Sequence, residues 1–182
     1  MPTAVIDDSA PVTIIELEEL ELERGDAENQ LLADLWKAVD DSDILSAAMI
    51  IKKCTAQNVE INKPRRSDGA TLLSLATQHG QAPLIKLLCR HGFSADSSWN
   101  GRTPLYIAAR AGFCDAIQVL SQFQVDVNRP RLDNTAADGS TPLIAACRGG
   151  HSAACRLLLD LKADPKIRAS DGTSCIYVAA QG

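Results

Sequence analysis

The strongest candidates for chemistry in this sequence are Cys147, His151 and Cys155, which follow one another at intervals of four residues. On an uninterrupted helix this spacing would place three zinc ligands on one face. Gly149 and Gly150 stand between them, at a point where one helical pattern ends and the next begins. We therefore interpret the two cysteines as small buried residues and His151 as a residue at a helix start, and we predict no metal site.

Motifs of the common enzyme classes do not occur in the sequence. It contains no phosphate-binding loop, no dinucleotide-binding glycine pattern, no H-E-x-x-H and no G-x-S-x-G. The six cysteines form no C-x-x-C pair and mostly lie in apolar, helix-like runs, which favours free thiols in a reducing compartment. The first residues do not resemble a signal peptide. We predict a protein that is not an enzyme, uses no cofactor, has no membrane segment and is intracellular, either cytoplasmic or nuclear.

A short phrase occurs four times along the chain, as DGATLL from residue 68, NGRTPL from 100, DGSTPL from 138 and DGTSCI from 171. The hydroxyl residues at the matching place are Thr71, Thr103, Thr141 and Ser174. Apart from one longer step, they recur about every 33 residues. The Asp-Gly or Asn-Gly pair predicts a tight turn, the hydroxyl residue a helix N-cap, and a following proline the first helical residue. The glycines expected to end these helices are Gly80, Gly112 and Gly150.

A second apolar helix is predicted after each of the first ones, with aliphatic residues such as Leu157, Leu158 and Leu159 facing a shared core. The segments GFCDAIQVLSQFQVDVN (112–128) and GGHSAACRLLLDLKADPK (149–166) resemble the second helix and outgoing loop of an ankyrin repeat. Residues 31–62 are similar to an N-terminal capping repeat that lacks the turn phrase. The resemblance implies an all-α solenoid of stacked helix-turn-helix units with short β-turn fingers. We expect a capping repeat at 31–67 and ankyrin repeats at 68–182, three of them full and one half.

Three features depart from the ankyrin pattern. The family's histidine after Thr-Pro-Leu is replaced by Ser74, Tyr106, Ile144 and Tyr177. The inter-repeat hydrogen bond of that histidine is therefore expected to be missing, so that stability rests more on apolar stacking. The segment RPRLDNTAAD lengthens one finger, and the sequence stops at Gly182 after a single helix of its last unit. Either the chain is part of a longer protein, or a partner covers that end.

In ankyrin arrays, partners usually lie in the concave groove formed by the finger tips and the first helices, and here arginine dominates those positions. The resemblance implies a partner-binding surface formed by Arg65, Arg66, Gln78, His79, Trp99, Arg102, Tyr106, Arg110, Arg129, Arg131, Arg148 and Arg168. Because the planar guanidinium group of arginine can donate two parallel hydrogen bonds to a carboxylate, we predict a protein or peptide partner that presents an acidic, partly apolar segment. In the alternative interpretation these arginines are simply solvated.

Residues 1–30 form an acidic leader, with nine acidic residues against Arg24 alone, and the rest of the chain is mildly basic. The leader is predicted to be a flexible or marginally helical tail, although VTIIELEE resembles a SUMO-interacting motif. A further hypothesis is that residues 12–23 occupy the groove of the same molecule and inhibit binding.

Two other functions of the chain remain open. The chain could be a regulatory or targeting part of a larger enzyme or complex. Nucleic-acid binding is disfavoured by an isoelectric point near 5.1 and by the lack of interleaved aromatic residues.

Overall fold

A computed structural model describes residues 14–62, 64, 68–132 and 139–180, with side chains described from residue 26 onward. The α-helices of this part of the chain are α1 Ile14–Asp40, α2 Ile44–Ala56, α3 Leu72–Gln78, α4 Ala82–Arg90, α5 Pro104–Ala111, α6 Cys114–Leu120, α7 Pro142–Arg148, α8 Ser152–Asp160 and α9 Cys175–Ala179. A single 3₁₀ turn, Ser121–Phe123, extends α6. No β-strand forms within these residues, so the predicted all-α class is confirmed.

The helices stack in two layers. The inner layer consists of α1, α3, α5, α7 and α9, each of which packs on the next, and the outer layer consists of α2, α4, α6 and α8 in the same order. Each inner helix except α9 also packs on the outer helix that follows it in sequence. This arrangement is a solenoid, in which a helical pair contacts only its neighbours, as the repeated phrase predicts.

The turn phrase starts the inner helices in the way that its residues predict. The Oγ1 atom of Thr103 accepts a hydrogen bond from the backbone N–H of Tyr106 at 3.1 Å, and Pro104 follows as the first helical residue. The same cap recurs at Thr71, Thr141 and Ser174. An N-cap hydroxyl satisfies one of the backbone donors that the first turn leaves without a partner, and this contributes about 1 kcal/mol. The predicted caps are therefore confirmed.

One continuous aliphatic core runs along the array. It begins with Leu35 in α1, passes through Ile85 and Leu105, and reaches Leu143, all of which are almost completely buried. Leu158 is buried and Leu157 partly buried, as expected. Leu159 is 45% exposed, so the prediction that it faces the core is wrong. On a helix with 3.6 residues per turn, three consecutive residues cannot share one face.

The residue directly before each of the outer helices α4, α6 and α8 links its repeat to the preceding one. The side chain of Gln81 donates hydrogen bonds to the carbonyl oxygen of Val39 and to the hydroxyl of Ser42. The ring of Phe113 covers the α-carbon of Gly80, and Nε2 of His151 donates to the carbonyl oxygen of Arg110 at 3.1 Å. Inter-repeat contacts at this position thus accompany the apolar stacking.

The fingers between the repeats are short turns. Trp99 and Arg102 form an isolated antiparallel bridge, and Arg168 and Ser174 form another at the next finger but one. In the lengthened finger, the N–H of Arg131 donates to the carbonyl oxygen of Ser140 at 2.9 Å. These contacts give the loop around Arg131 a fixed backbone path beside the inner helices.

Helix α1 runs without interruption from Ile14 to Asp40, so the boundary predicted between residues 30 and 31 falls inside a helix. Residues 12 and 13 of the VTIIELEE segment lie outside the described residues, whereas residues 14–19 begin α1. A motif that adds a strand to a partner's sheet would need an extended conformation there. The division into leader, cap and repeats, and the two hypotheses about the leader, stay predictions.

Candidate functional site

Two adjoining cavities open on the inner layer, between the fingers and helices α3, α5 and α7. The larger has a volume of about 540 Å³, the smaller about 260 Å³. Both are lined by Arg102, Tyr106 and Arg110, which makes them one continuous depression. We call it the arginine groove and define it by Gln78, Arg102, Tyr106, Arg110, Arg131 and Arg148. All six belong to the predicted partner-binding set.

Tyr106 forms the base of the arginine groove. It lies in the first turn of α5, where the cap on Thr103 fixes its backbone, and its side chain is only 4% exposed. The guanidinium carbon of Arg131 lies 5.9 Å from the centroid of its ring, which is cation–π geometry. Arg131 is itself 9% exposed, and its backbone is paired with Ser140. Its positive charge is therefore held in one place.

Arg102 reaches the groove from a finger. Its backbone is bridged to Trp99, and its side chain is half-buried. Burial, followed by the positive charges of Arg131 and Arg110, lowers the pKa of Arg102 from its ordinary value. A guanidinium group stays protonated at neutral pH even after such a shift, so Arg102 keeps its positive charge beside those of Arg131 and Arg110.

Arg148 and Arg110 occupy the last turns of α7 and α5, where a positive charge also complements the helix dipole. Arg148 donates to Asp171 at 2.9 Å and to the hydroxyl of Ser140 at 3.1 Å. The pKa of Asp171 is lowered, first by its hydrogen bonds from Thr173 and then by Arg148. Arg110 is exposed, and its carbonyl accepts the bond from His151. These two arginines form the rim of the groove.

Four other residues predicted to bind a partner are described by the structure and do not line the arginine groove. His79 caps the end of α3 and is exposed, Arg129 forms an ion pair with Asp96 at 3.4 Å, and Arg168 is exposed on the last finger. Trp99 donates from Nε1 to the carbonyl oxygen of Asp68 at 2.9 Å, which ties two successive fingers together. Arg65 and Arg66 lie outside the described residues. A role of these six residues in binding stays a prediction.

The cysteines and His151 that the sequence singled out do not form a metal site in the described residues. Cys147 and Cys155 come together, with 3.3 Å between their sulfur atoms, while His151 turns away to Arg110. Nowhere in the described part of the chain do three or more histidine, cysteine or acidic residues cluster in a way that could hold a metal ion. Burial and the neighbouring thiols of Cys155 and Cys175 raise the pKa of Cys147 to about 12, so its thiol is protonated at neutral pH.

Sequence reasoning missed three residues that position the groove, namely Ser140, His151 and Asp171. Ser140 and Asp171 hold the guanidinium group of Arg148, and His151 holds the end of α5 beside Arg110. The place of His151 is a signal in the sequence, because it directly follows Gly150, the glycine predicted to end an inner helix. The contacts with Arg148 carry no such signal: Asp171 lies in the next repeat, and Ser140 lies eight residues before Arg148 in the same repeat, at a position where the other turn phrases have alanine, arginine or threonine.

Comparison with known proteins agrees with the architecture. A family model described as "Ankyrin repeats (3 copies)" matches residues 35–131, and one described as "Ankyrin repeat" matches residues 138–170. No curated protein matches the chain. Over the residues that the structure covers, no helix combines the length and apolar character needed to span a bilayer. The chain belongs to the ankyrin-repeat family, whose members are typically non-catalytic and whose repeats generally mediate protein–protein interaction.

Proposed function

We propose that this protein is a non-catalytic interaction module that holds an acidic segment of a partner polypeptide in the arginine groove. The observation that carries the proposal is the convergence of four arginine side chains on one cavity of about 540 Å³. They come from a finger, from the ends of two inner helices and from the lengthened loop, and are Arg102, Arg110, Arg148 and Arg131.

The dimensions of the groove suit an extended peptide. It runs from Gln78 at the end of α3, across α5, to Arg148 at the end of α7. Packed helices lie about 8–10 Å apart, so the groove is roughly 20 Å long. An extended chain rises about 3.3 Å per residue, and about six residues would therefore fill it.

The charges of the groove favour acidic partners. No acidic side chain is among the described residues that line the two cavities. Arginine presents five donors in a fixed fork that matches a carboxylate, and a concave wall strengthens the attraction relative to a flat surface. Tyr106, which is nearly buried, holds the guanidinium group of Arg131 over its ring at the base of the groove.

The proposal is tested with the full chain and fluorescent pools of degenerate nonapeptides. One pool has aspartate fixed at its three central positions, and the other has serine there. Arg110→Gln and Arg148→Gln are combined in one variant, and Arg90→Gln and Arg156→Gln, exposed on outer helices, form a control of equal charge. Affinities are measured by fluorescence anisotropy.

We expect the aspartate pool to bind the unmodified chain and the control alike, and to bind the groove variant about tenfold more weakly. Binding should also weaken between about 0.05 M and about 0.3 M salt, because salt screens exposed charges. Equal binding of the aspartate and serine pools, or equal loss in both variants, would contradict the proposal.

The inhibitory leader remains a separate part of the proposal, and it is best tested without cutting the chain, because α1 crosses residue 30. Glu18, Glu19, Glu21 and Glu23 are replaced by glutamine, which has a similar helix propensity. If the leader competes for the arginine groove, the variant should bind the aspartate pool more tightly than the unmodified chain does. Unchanged affinity at both salt concentrations would remove this part of the proposal.

A further inference from the structure

We propose that the arginine groove recognises a phosphorylated serine or threonine in the partner segment, with the phosphoryl group placed among its guanidinium groups. This inference rests on the proposed function, since it names the chemistry of the same site. It goes further in that binding would be switched on by modification of the partner.

The first argument is convergence. The larger cavity of the groove is lined by Arg102, Arg110, Arg131 and Arg148, together with Tyr106, Ala145 and Gly149. A row of cations, one beside each carboxylate, would be enough to hold a linear acidic segment. Here four arginines line one cavity of about 540 Å³, so that several of them can contact the same anionic group of that segment.

The second argument is charge. Positive groups that share a cavity repel one another: burial first, and then the charges of Arg131 and Arg110, lower the pKa of Arg102. An anion placed between them relieves the repulsion. A phosphoryl group carries about −1.5 to −2 charges at pH 7 and offers three strong acceptor oxygens, whereas a carboxylate carries one charge and two oxygens.

The third argument is preorganisation. Arg131 is packed over the ring of Tyr106 and nearly buried, and Arg148 is fixed by Ser140 and Asp171. Side chains that are already held in place lose little conformational entropy when a ligand arrives.

The fourth argument concerns the type of residue that carries the phosphoryl group. Arg110 and Arg148 lie at the exposed rim, at the ends of α5 and α7. The small residues Ala145 and Gly149 leave room between them. A phosphoryl group at the rim is within reach of a peptide backbone through the short side chain of serine or threonine.

The test uses the full chain and four fluorescent probes. Three are nonapeptide pools, degenerate except at the central position, which is phosphoserine, aspartate or serine. The fourth is a single-stranded oligonucleotide of nine thymidines. The variants are Arg110→Gln, Arg110→Lys and the control Arg90→Gln, and both arginines lie in the last turn of a helix and are exposed. Circular dichroism and thermal unfolding establish that each variant is folded.

We expect the phosphoserine pool to bind about tenfold more tightly than the aspartate pool, because of its second charge and third acceptor. Arg110→Gln should remove most of this difference, and Arg110→Lys should restore only part of it, because lysine keeps the charge but lacks the planar fork. Arg90→Gln should leave the difference unchanged.

The outcomes separate this inference from the proposed function. If both acidic pools bind equally well and both depend on Arg110, the acidic-segment groove stands and the phosphoryl site is refuted. If neither pool binds better than serine, both ideas fall. Tighter binding of the oligonucleotide than of the phosphoserine pool would also overturn the inference, because it would mark the arginines as a nucleic-acid surface.

Discussion

Replacing Gly112 by alanine should destabilise the array far more than the same replacement of Gly150. Both glycines have a positive φ, 74° and 71°, at the turn between an inner and an outer helix. A Cβ atom on Gly112 would lie 2.6 Å from the ring of His151, whereas one on Gly150 would have no neighbour within 4 Å. The two substitutions therefore share the backbone strain and differ in the clash.

The magnitudes follow from these two contributions. An alanine in the left-handed region costs about 1–2 kcal/mol, which is the whole effect expected for Gly150→Ala. Overpacking adds about 1–3 kcal/mol, so Gly112→Ala should cost about 2–5 kcal/mol. For a chain of this length the melting temperature falls by about 2–4 °C per kcal/mol, which predicts a decrease of about 4–20 °C for Gly112→Ala.

Thermal and urea unfolding of the two variants measure the difference, and a third variant identifies its cause. In Gly112→Ala combined with His151→Ala, the alanine at 112 no longer meets a ring. The double variant should therefore cost less than the sum of the two single ones, by about 1–2 kcal/mol. Equal effects of Gly112→Ala and Gly150→Ala, or strict additivity with His151→Ala, would refute the packing of His151 on Gly112.

Three further predictions concern other contacts. Thr103→Ala removes the N-cap of α5 and should lower the free energy of unfolding by about 1 kcal/mol in urea denaturation, whereas Thr103→Ser should retain most of it. Trp99→Phe keeps an aromatic ring but loses the hydrogen bond to Asp68, and should cost about 1 kcal/mol in the same assay. Burial raises the pKa of Cys89 to about 11. Because the folded chain holds this proton more tightly, its stabilisation is complete below the unfolded pKa near 9 and is lost as the pH rises towards 11. Cys89 should account for about 1 kcal/mol of the loss at pH 10, and Cys89→Ala should lose that much less between pH 7 and pH 10 as measured by unfolding, because other buried thiols such as Cys147 titrate in both chains; an identical pH dependence in both chains would contradict it.

The parts of the fold that the sequence predicts are those decided by neighbouring residues. The cap on Thr103 and the turn at Gly112 depend on atoms a few positions apart, so the repeated phrase is enough to place the inner helices. The apolar periodicity of the outer helices likewise indicates a continuous core, although it does not resolve which of three consecutive leucines points away from it.

Membership of the groove was harder to predict because it depends on contacts between repeats. Trp99 and Arg129 occupy finger positions, yet a hydrogen bond to Asp68 and an ion pair with Asp96 engage them there. Arg131 enters the groove through pairing with Ser140, inside a lengthened loop that has no counterpart in the other repeats. The position before each outer helix holds a different residue type in each unit, so a comparison by residue type does not reveal its shared role.

The side chains directly before α4, α6 and α8 all contact the preceding repeat, so these contacts point in one direction along the array. Gln81, Phe113 and His151 each belong to the later of two repeats, and the groups they contact, such as Gly80 and the carbonyl oxygen of Arg110, belong to the earlier one. Removing a repeat from the carboxyl side would take the contacting side chain with it, so that at this position mainly backbone is uncovered. Removing a repeat from the amino side would leave a phenylalanine ring or a side-chain amide exposed, without the backbone groups that it contacts in the array. Truncation from the amino end should therefore expose more side-chain surface at these positions than truncation from the carboxyl end. During synthesis, the contacted backbone groups of each repeat leave the ribosome before the side chain that packs on them.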